Sequence, residues 1–511
     1  MLKNIAKICA IGTLLLIPFF AQSTNQKSAE FIANQVVTKM YQTNGNFLLP
    51  KPKVQVIQNV SNVARLLRLS NTIELDYKTY ILCQTMGKDS LSALAFILGH
   101  ELAHVFQLDA IRNEASFLSY TKNNKFSQEE EQADLYGAFL AHLSGFKTKE
   151  ILPQLIEQIY VQYDLKNKAL PNYPTFEERQ QTGRQLARMI EQMQQIYETA
   201  NYAIVAEKYE LAVMLLENLE MNYKGKELYN NLGVVYTLYA LSLQKTNQDN
   251  FIYPIELDAS FRLKKPKTSR GDDDKTYLKQ IDKYYKKANS YFETAAKMDL
   301  QYLSPNINTA CVLLLQNKNK EALDYIFKKQ MEKRARFSDK RSAHLEKTKL
   351  IKALALAKAG AINDPNELLL ALSNDDNNAI ATIAKHNLKV LNKETIETQN
   401  TTSSTCNAEA VIPANIKIYK LPKIGDWTKL QQDYSINTTQ KEDELQVFIK
   451  QNQQLIFSFY RKNEASQTIE IQDSNAIVLS SNGYFIHCSE QQQIVQQGEN
   501  KRIIHYYKTS N

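Results

Sequence analysis

After its first twenty residues the chain has no apolar run long enough to cross a bilayer, so nothing in it reads as a multi-span membrane protein. It has only five cysteines in 511 residues, and their spacing is unlike the paired ligands of a structural zinc site. No basic block interleaved with aromatics accompanies its formal charge of +8. That excess reads as solubility, and no nucleic-acid partner is expected. The 43% hydrophobic and 23% charged residues are those of a folded protein, and the length allows two to four domains with proper cores.

The N-terminus reads as a targeting segment. Lys3 and Lys7 precede an apolar stretch from Ile8 to Phe20, and Ala21-Gln22-Ser23 places small residues at the cleavage spacing. A signal peptide over residues 1–23 is expected, with an uncleaved signal anchor as the alternative. Cys9 opens the apolar run instead of closing it, which argues against a lipoprotein. The expected product is exported, periplasmic or secreted, with at most peripheral membrane association. Cys83 and Cys311 sit in apolar surroundings and read as buried thiols, whereas export would permit a disulfide between Cys406 and Cys488.

The chemistry is concentrated in Gly99-His100-Glu101-Leu102-Ala103-His104. Two histidines four apart lie on one helix face, a turn from each other, so both imidazoles can reach one metal ion. The glutamate between them sits where it can take a proton from water. Asp89 is a plausible N-cap, and Leu91, Leu94, Ala95, Leu98 and Leu102 recur at helical spacing in a stretch free of proline up to Ala110. This predicts a long, largely buried helix, in which such polar groups are costly without partners.

A third ligand is offered downstream by Ser127-Gln128-Glu129-Glu130-Glu131-Gln132-Ala133-Asp134. Ser127 followed by Glu130 forms a capping box, so a helix start is expected there. Glu130 and Asp134 share a face. Glu130 either completes the metal site or only closes the capping box; Asp134 is placed to hold a ligand histidine by its other ring nitrogen.

His100-Glu101-Leu102-Ala103-His104 and Glu130-Glu131-Gln132-Ala133-Asp134 together resemble the H-E-x-x-H and E-x-x-A-D signatures of one zinc endopeptidase family. That family includes the CAAX prenyl protease, the bacterial heat-shock membrane protease and periplasmic outer-membrane-assembly peptidases. The resemblance covers roughly residues 30 to 195. It implies one zinc ion per chain on His100, His104 and Glu130, Glu101 as catalytic base and Asp134 behind a ligand. The short gap from His104 to Glu130 departs from relatives that carry a membrane hairpin or long insert there. A second departure is Tyr173-Pro174, where the family usually has His-Pro, followed here by Glu178-Arg179. Tyr173 could donate its hydroxyl to an oxyanion or simply pack in a loop. Upstream, Val54-Gln55-Val56-Ile57 and Thr72 to Tyr77 read as strands, and the edge strand of such a sheet would take up an extended peptide.

The expected fold is multidomain and mainly α. An α+β zinc-peptidase domain spans 24–196. A tetratricopeptide-like helical region follows over 197–394, carried by Asn231-Leu232-Gly233-Val234-Val235-Tyr236 and by small and large residues at helical spacing, or it is an irregular bundle. A polar linker over 395–405 leads to a small β-rich domain over 406–511 that contains Trp427 and no convincing catalytic set. The leading functional expectation is an exported zinc metalloendopeptidase acting on protein or peptide substrates, with a surface for a protein partner on the repeats. The alternative is a catalytically quiet, chaperone-like scaffold of the cell envelope. An exopeptidase lacks an obvious charged set for gripping a chain terminus.

Overall fold

The computed structural model describes residues 25–58, 62–107, 114–116, 125–166, 176–205, 208–244, 250–257, 260–261, 275–337, 341–361, 363–374, 378–394, 427–430, 433–441, 444–452, 454–462, 468–473, 476–479, 484–489, 492–497 and 504–507. The signal segment 1–23, the linker 395–405, Tyr173 and Cys406 lie outside these residues. The chain is mainly helical, with sheets in addition. It divides into two compact units: Met1–Gln194 with Asn222–Gly225, and Gln195–Met221 with Lys226–Asn511. No described helix is long and apolar enough to cross a membrane.

In the first unit, helix α1 covers residues 25–44. Three short strands follow, β1 (Lys53–Ile57), β2 (Ala64–Leu67) and β3 (Thr72–Asp76). Their side chains alternate as a half-buried sheet requires, with Val54 and Val56, Ala64 and Leu66, and Ile73 and Leu75 inside. The pair β2–β3 is antiparallel with Arg65 opposite Glu74, and those side chains form an ion pair at 2.6 Å that reinforces the register. Strand β1 runs parallel to β3.

Helices α2 (Tyr77–Thr85) and α3 (Ser90–Gln107) come next, the latter preceded by a single 3₁₀ turn ending at Asp89. The three-residue strand β4 (Glu114–Ser116) then pairs with β2, giving the order β1-β3-β2-β4. Helices α4 (Lys125–Leu143), α5 (Thr148–Gln162) and α6 (Phe176–Val205) complete the run, α6 continuing into the second unit. Helix α4 stops at Gly145, whose φ of +85° suits glycine and lets the Gly145 and Phe146 amides donate back to the carbonyls of His142 and Ala141.

Of the two outer strands, β1 is closed by α1. The Asn34 side chain donates to the Val54 carbonyl at 2.9 Å and accepts from the Val54 amide at 3.0 Å, as a neighbouring strand would. Gln26 donates to the Val56 carbonyl, and Glu30 accepts from the Val56 amide. No described strand pairs with β4 on its other side.

After the end of α6, the second unit contains α7 (Tyr209–Glu220) and α8 (Lys226–Leu243), then the two-residue strands β5 (Glu256–Leu257) and β6 (Ser260–Phe261). Helices α9 (Lys275–Met298), α10 (Ser304–Leu315), α11 (Asn319–Lys328), α12 (Met331–Arg336), α13 (Arg341–Lys358), α14 (Asn363–Ser373) and α15 (Asn378–Leu391) follow. In α9 the buried residues Tyr285, Ala288, Phe292 and Ala295 trace one face. That face meets α8 at Gly233, where an added Cβ would lie 2.4 Å from the Phe292 ring. The last three helices share a core of Leu350, Ala353, Leu369, Leu372, Ile380, Ile383 and Ala384. Cys83 in the first unit and Cys311 in the second are buried and in no disulfide.

The C-terminal residues form one nine-stranded sheet. Its strands are β7 (Thr428–Lys429), β8 (Tyr434–Lys441), β9 (Glu444–Gln451), β10 (Gln454–Lys462), β11 (Thr468–Asp473), β12 (Ala476–Leu479), β13 (Tyr484–Ser489), β14 (Gln492–Gln497) and β15 (Ile504–Tyr507). From β7 to β12 it is an antiparallel meander; β15 then pairs with β12, and β13 joins β15 in the one parallel pairing of this sheet.

Gly233→Ala should overpack the α8–α9 contact and cost about 1–3 kcal/mol of stability. Denaturant melts of the full chain check this. Combining the change with Phe292→Leu should recover part of the loss, because the smaller side chain vacates the space the new methyl needs.

Candidate metal centre

Helix α3 forms in the core because most of its residues are apolar. Ala93 to Leu98, Leu102 and Ala103 are all buried. His100 and Glu101 are 0% exposed and His104 is 2% exposed, so three polar side chains are carried into the interior of the first unit. Such groups persist in a core only where something satisfies them.

Helix α4 supplies the partners. It begins at Lys125, two residues before Ser127, so Ser127 lies within the first turn and the expected capping-box start at Ser127 is not where the helix begins. The helix frame that starts earlier still turns Glu130 and Asp134 to the same side, and both are 2% exposed.

The two helices meet backbone to backbone. A Cβ on Gly137 would lie 2.3 Å from the Gly99 carbonyl carbon and 2.5 Å from the His100 nitrogen; one on Gly99 would lie 2.7 Å from the Gly137 oxygen. Only paired glycines tolerate that approach. It places the residue after Gly99, His100, opposite the turn of α4 that carries Asp134.

The resulting geometry is compact. His100 Nδ1 lies 2.7 Å from Asp134 Oδ1. A carboxylate only accepts, so Nδ1 carries the proton and Nε2 is left to face inward. His100 Nε2 lies 3.2 Å from His104 Nε2 and 3.2 Å from Glu130 Oε2, and His104 Nε2 lies 3.7 Å from that same oxygen. Glu130 Oε2 is buried and accepts no aligned hydrogen bond, although two ring nitrogens approach it. All three donor atoms fall within 4.8 Å of one another. Three donors each 2.0–2.2 Å from one tetrahedral ion stand about 3.3–3.6 Å apart, so these spacings fit a shared ion. Two imidazoles and one carboxylate are donors of the kind that hold zinc among other divalent metals.

The charges interlock. Burial alone would disfavour a protonated His100, but Asp134 and Glu130 outweigh it and raise its pKa to about 10. For Glu130, burial works against ionisation, and the His100 and His104 rings more than offset it, holding the carboxyl down at about 2. The two shifts favour one arrangement, a protonated His100 beside an ionised Glu130.

The residues brought together are thus His100, His104, Glu130 and Asp134, with Glu101 buried on the same helix. Tyr173 lies outside the described residues, and nothing is placed for the Arg179 side chain. Gly99 and Gly137 were not singled out as site residues by sequence reasoning. Their signal was available, since each interrupts a helix interior where glycine costs about 1 kcal/mol relative to alanine. Compared with known proteins, the chain matches no family model and no curated protein.

Two outcomes are expected. Gly137→Ala should push α4 off α3 by about 1 Å or more, lowering metal content with helical signal retained; metal analysis beside circular dichroism checks this. Metal uptake should also release the Nε2 proton of His100. Since Asp134 and Glu130 hold that proton above the ordinary imidazole range, metal affinity should rise with pH across the neutral range, where binding has to displace it. Calorimetry in buffers of different ionisation heat measures the proton directly, and uptake without proton release would contradict the assigned charge state.

Proposed function

We propose that this protein is a zinc-dependent metalloendopeptidase. The observation that carries the reading is the convergence of His100, His104 and Glu130 on one buried point, with Asp134 behind His100. These are the residues at which the chain resembles the H-E-x-x-H and E-x-x-A-D endopeptidases. When bound, zinc supplies Lewis-acid polarisation of a peptide carbonyl and acidifies water.

The remaining work falls to the protein's own groups. His100, His104 and Glu130 hold the ion. Asp134 accepts from His100 Nδ1, which would leave Nε2 free to hold the ion. Glu101, carried into the core between the two histidines, accepts a proton from the attacking water and hands it to the leaving amine. Tyr173 is the proposed hydroxyl donor to the oxyanion.

Substrate positioning follows from the sheet. The β1 side is occupied by Gln26, Glu30 and Asn34 of α1, so an extended peptide would add to β4, whose partner β2 packs with it against α3. A strand there is held by backbone hydrogen bonds, which favours unfolded or loop segments and modest sequence preference. The helices from α7 to α15 are read as tetratricopeptide-like and as the surface for a protein partner. Export to the periplasm or medium completes the proposal.

Glu101→Gln decides the mechanism. The variant should keep its zinc and its melting temperature while kcat for an unfolded protein substrate falls by about 10²–10⁴-fold. Undiminished cleavage by the variant would refute the assignment of Glu101, whereas absence of cleavage by the wild type would favour the scaffold alternative. Asp134→Asn should act differently, weakening zinc binding by about 10–100-fold, so that added zinc restores part of its rate.

A further inference from the structure

Residues Asn222–Gly225 lie far along the chain from both signatures, yet they belong to the first compact unit. Tyr223 is 5% exposed. Its ring lies 5.2 Å from that of Tyr136, tilted by 38°, and meets Phe139 edge-on at 5.3 Å. Tyr136 and Phe139 flank Gly137 on α4. The Tyr136 hydroxyl donates to the Lys224 carbonyl at 3.0 Å and accepts from the Asn44 side chain. Asn44, at the end of α1 and fully buried, also donates to the Lys224 carbonyl at 3.1 Å. Gly225 makes room for this arrangement, since a Cβ there would lie 2.6 Å from the Tyr223 ring and hydroxyl.

A helix crossing made of two glycines brings backbones close but interlocks no side chains at that point. It leaves rotation and sliding of α4 to be fixed by whatever grips the residues beside it. Among them are Tyr136, which Phe106 of α3 also meets at 6.2 Å, and Phe139; Tyr223 packs against both. A displacement of α4 of about 0.5 Å is already enough to degrade a ligand constellation.

We propose that the segment Asn222–Gly225 is a positioning element of the metal centre, with Tyr223 holding α4 at the rotation that presents Glu130 and Asp134 to His100. This rests on the metal site proposed above. Tyr223 touches neither metal nor substrate; it acts through α4. One consequence is that residues 24–196 do not contain everything the site requires.

The test uses the full-length chain and four variants: Tyr223→Ala, Tyr223→Phe, Tyr136→Phe and Gly225→Ala. Zinc affinity is measured by competition with a chromophoric chelator, and site geometry by the visible absorption of the cobalt-loaded protein. Tyr223→Ala should bind zinc at least about tenfold more weakly and shift the cobalt bands, with Tyr223→Phe close to wild type because the ring is kept. Tyr136→Phe and Gly225→Ala, milder changes at the same knot, should move affinity in the same direction. Amide exchange over residues 130–143 in the metal-free protein should be faster in Tyr223→Ala than in wild type. Unchanged affinity, bands and exchange in Tyr223→Ala would overturn the proposal. Failure of the wild type to bind zinc would instead sink the metal-site reading, and the exchange comparison would still decide whether Tyr223 fixes α4.

Discussion

The contact between Gly99 and Gly137 is the constraint on which the first unit depends. Side chains normally keep packed helices 8–10 Å apart. Removing both Cβ atoms at one crossing lets the two backbones touch, and the histidine next to one glycine then reaches a carboxylate three residues before the other. The cost is two glycines inside helices, each weakening its own helix by about 1 kcal/mol. The return is a donor cluster carried by two core helices, so that no exposed loop has to hold it.

Much of that cluster was legible because it is local. Histidines four apart on an apolar helix, and two acidic residues four apart on the next, announce their shared faces through the 3.6-residue repeat alone. Val54, Val56, Ile73 and Leu75 announced two strands in the same way through alternation. What was not legible is what depends on distant partners or short elements. Strand β4, three residues long, is too short for any pattern and is defined by its pairing with β2. The stripe Gln26, Glu30 and Asn34 reads as a solvated helix face, because nothing local reveals that it will meet the unpaired groups of β1. Tyr223 reads as one more aromatic in a helical region, since its contacts with Tyr136 and Phe139 span more than eighty positions.

The second unit poses a different problem. Its helices were expected from their spacing, and Gly233 sits where a small residue lets α9 bring Phe292 close. A small β-rich region was expected over 406–511; that its strands join in a single sheet of nine, with β15 inserted between β12 and β13, follows from pairings that no strand's own pattern encodes. Alternation tells a strand which face to bury, and leaves open which neighbour it takes.

Sealing one side of the four-stranded sheet has a consequence for the protein at high concentration. Sheet edges invite any available strand, including one from a second copy of the same chain. With β1 closed by the amide and carboxyl groups of α1, a strand from a second copy could join this sheet at β4 alone among its described strands, the side proposed above for substrate. On that proposal, crowding and substrate would compete for a single berth, and dilution or an excess of substrate would favour the free molecule.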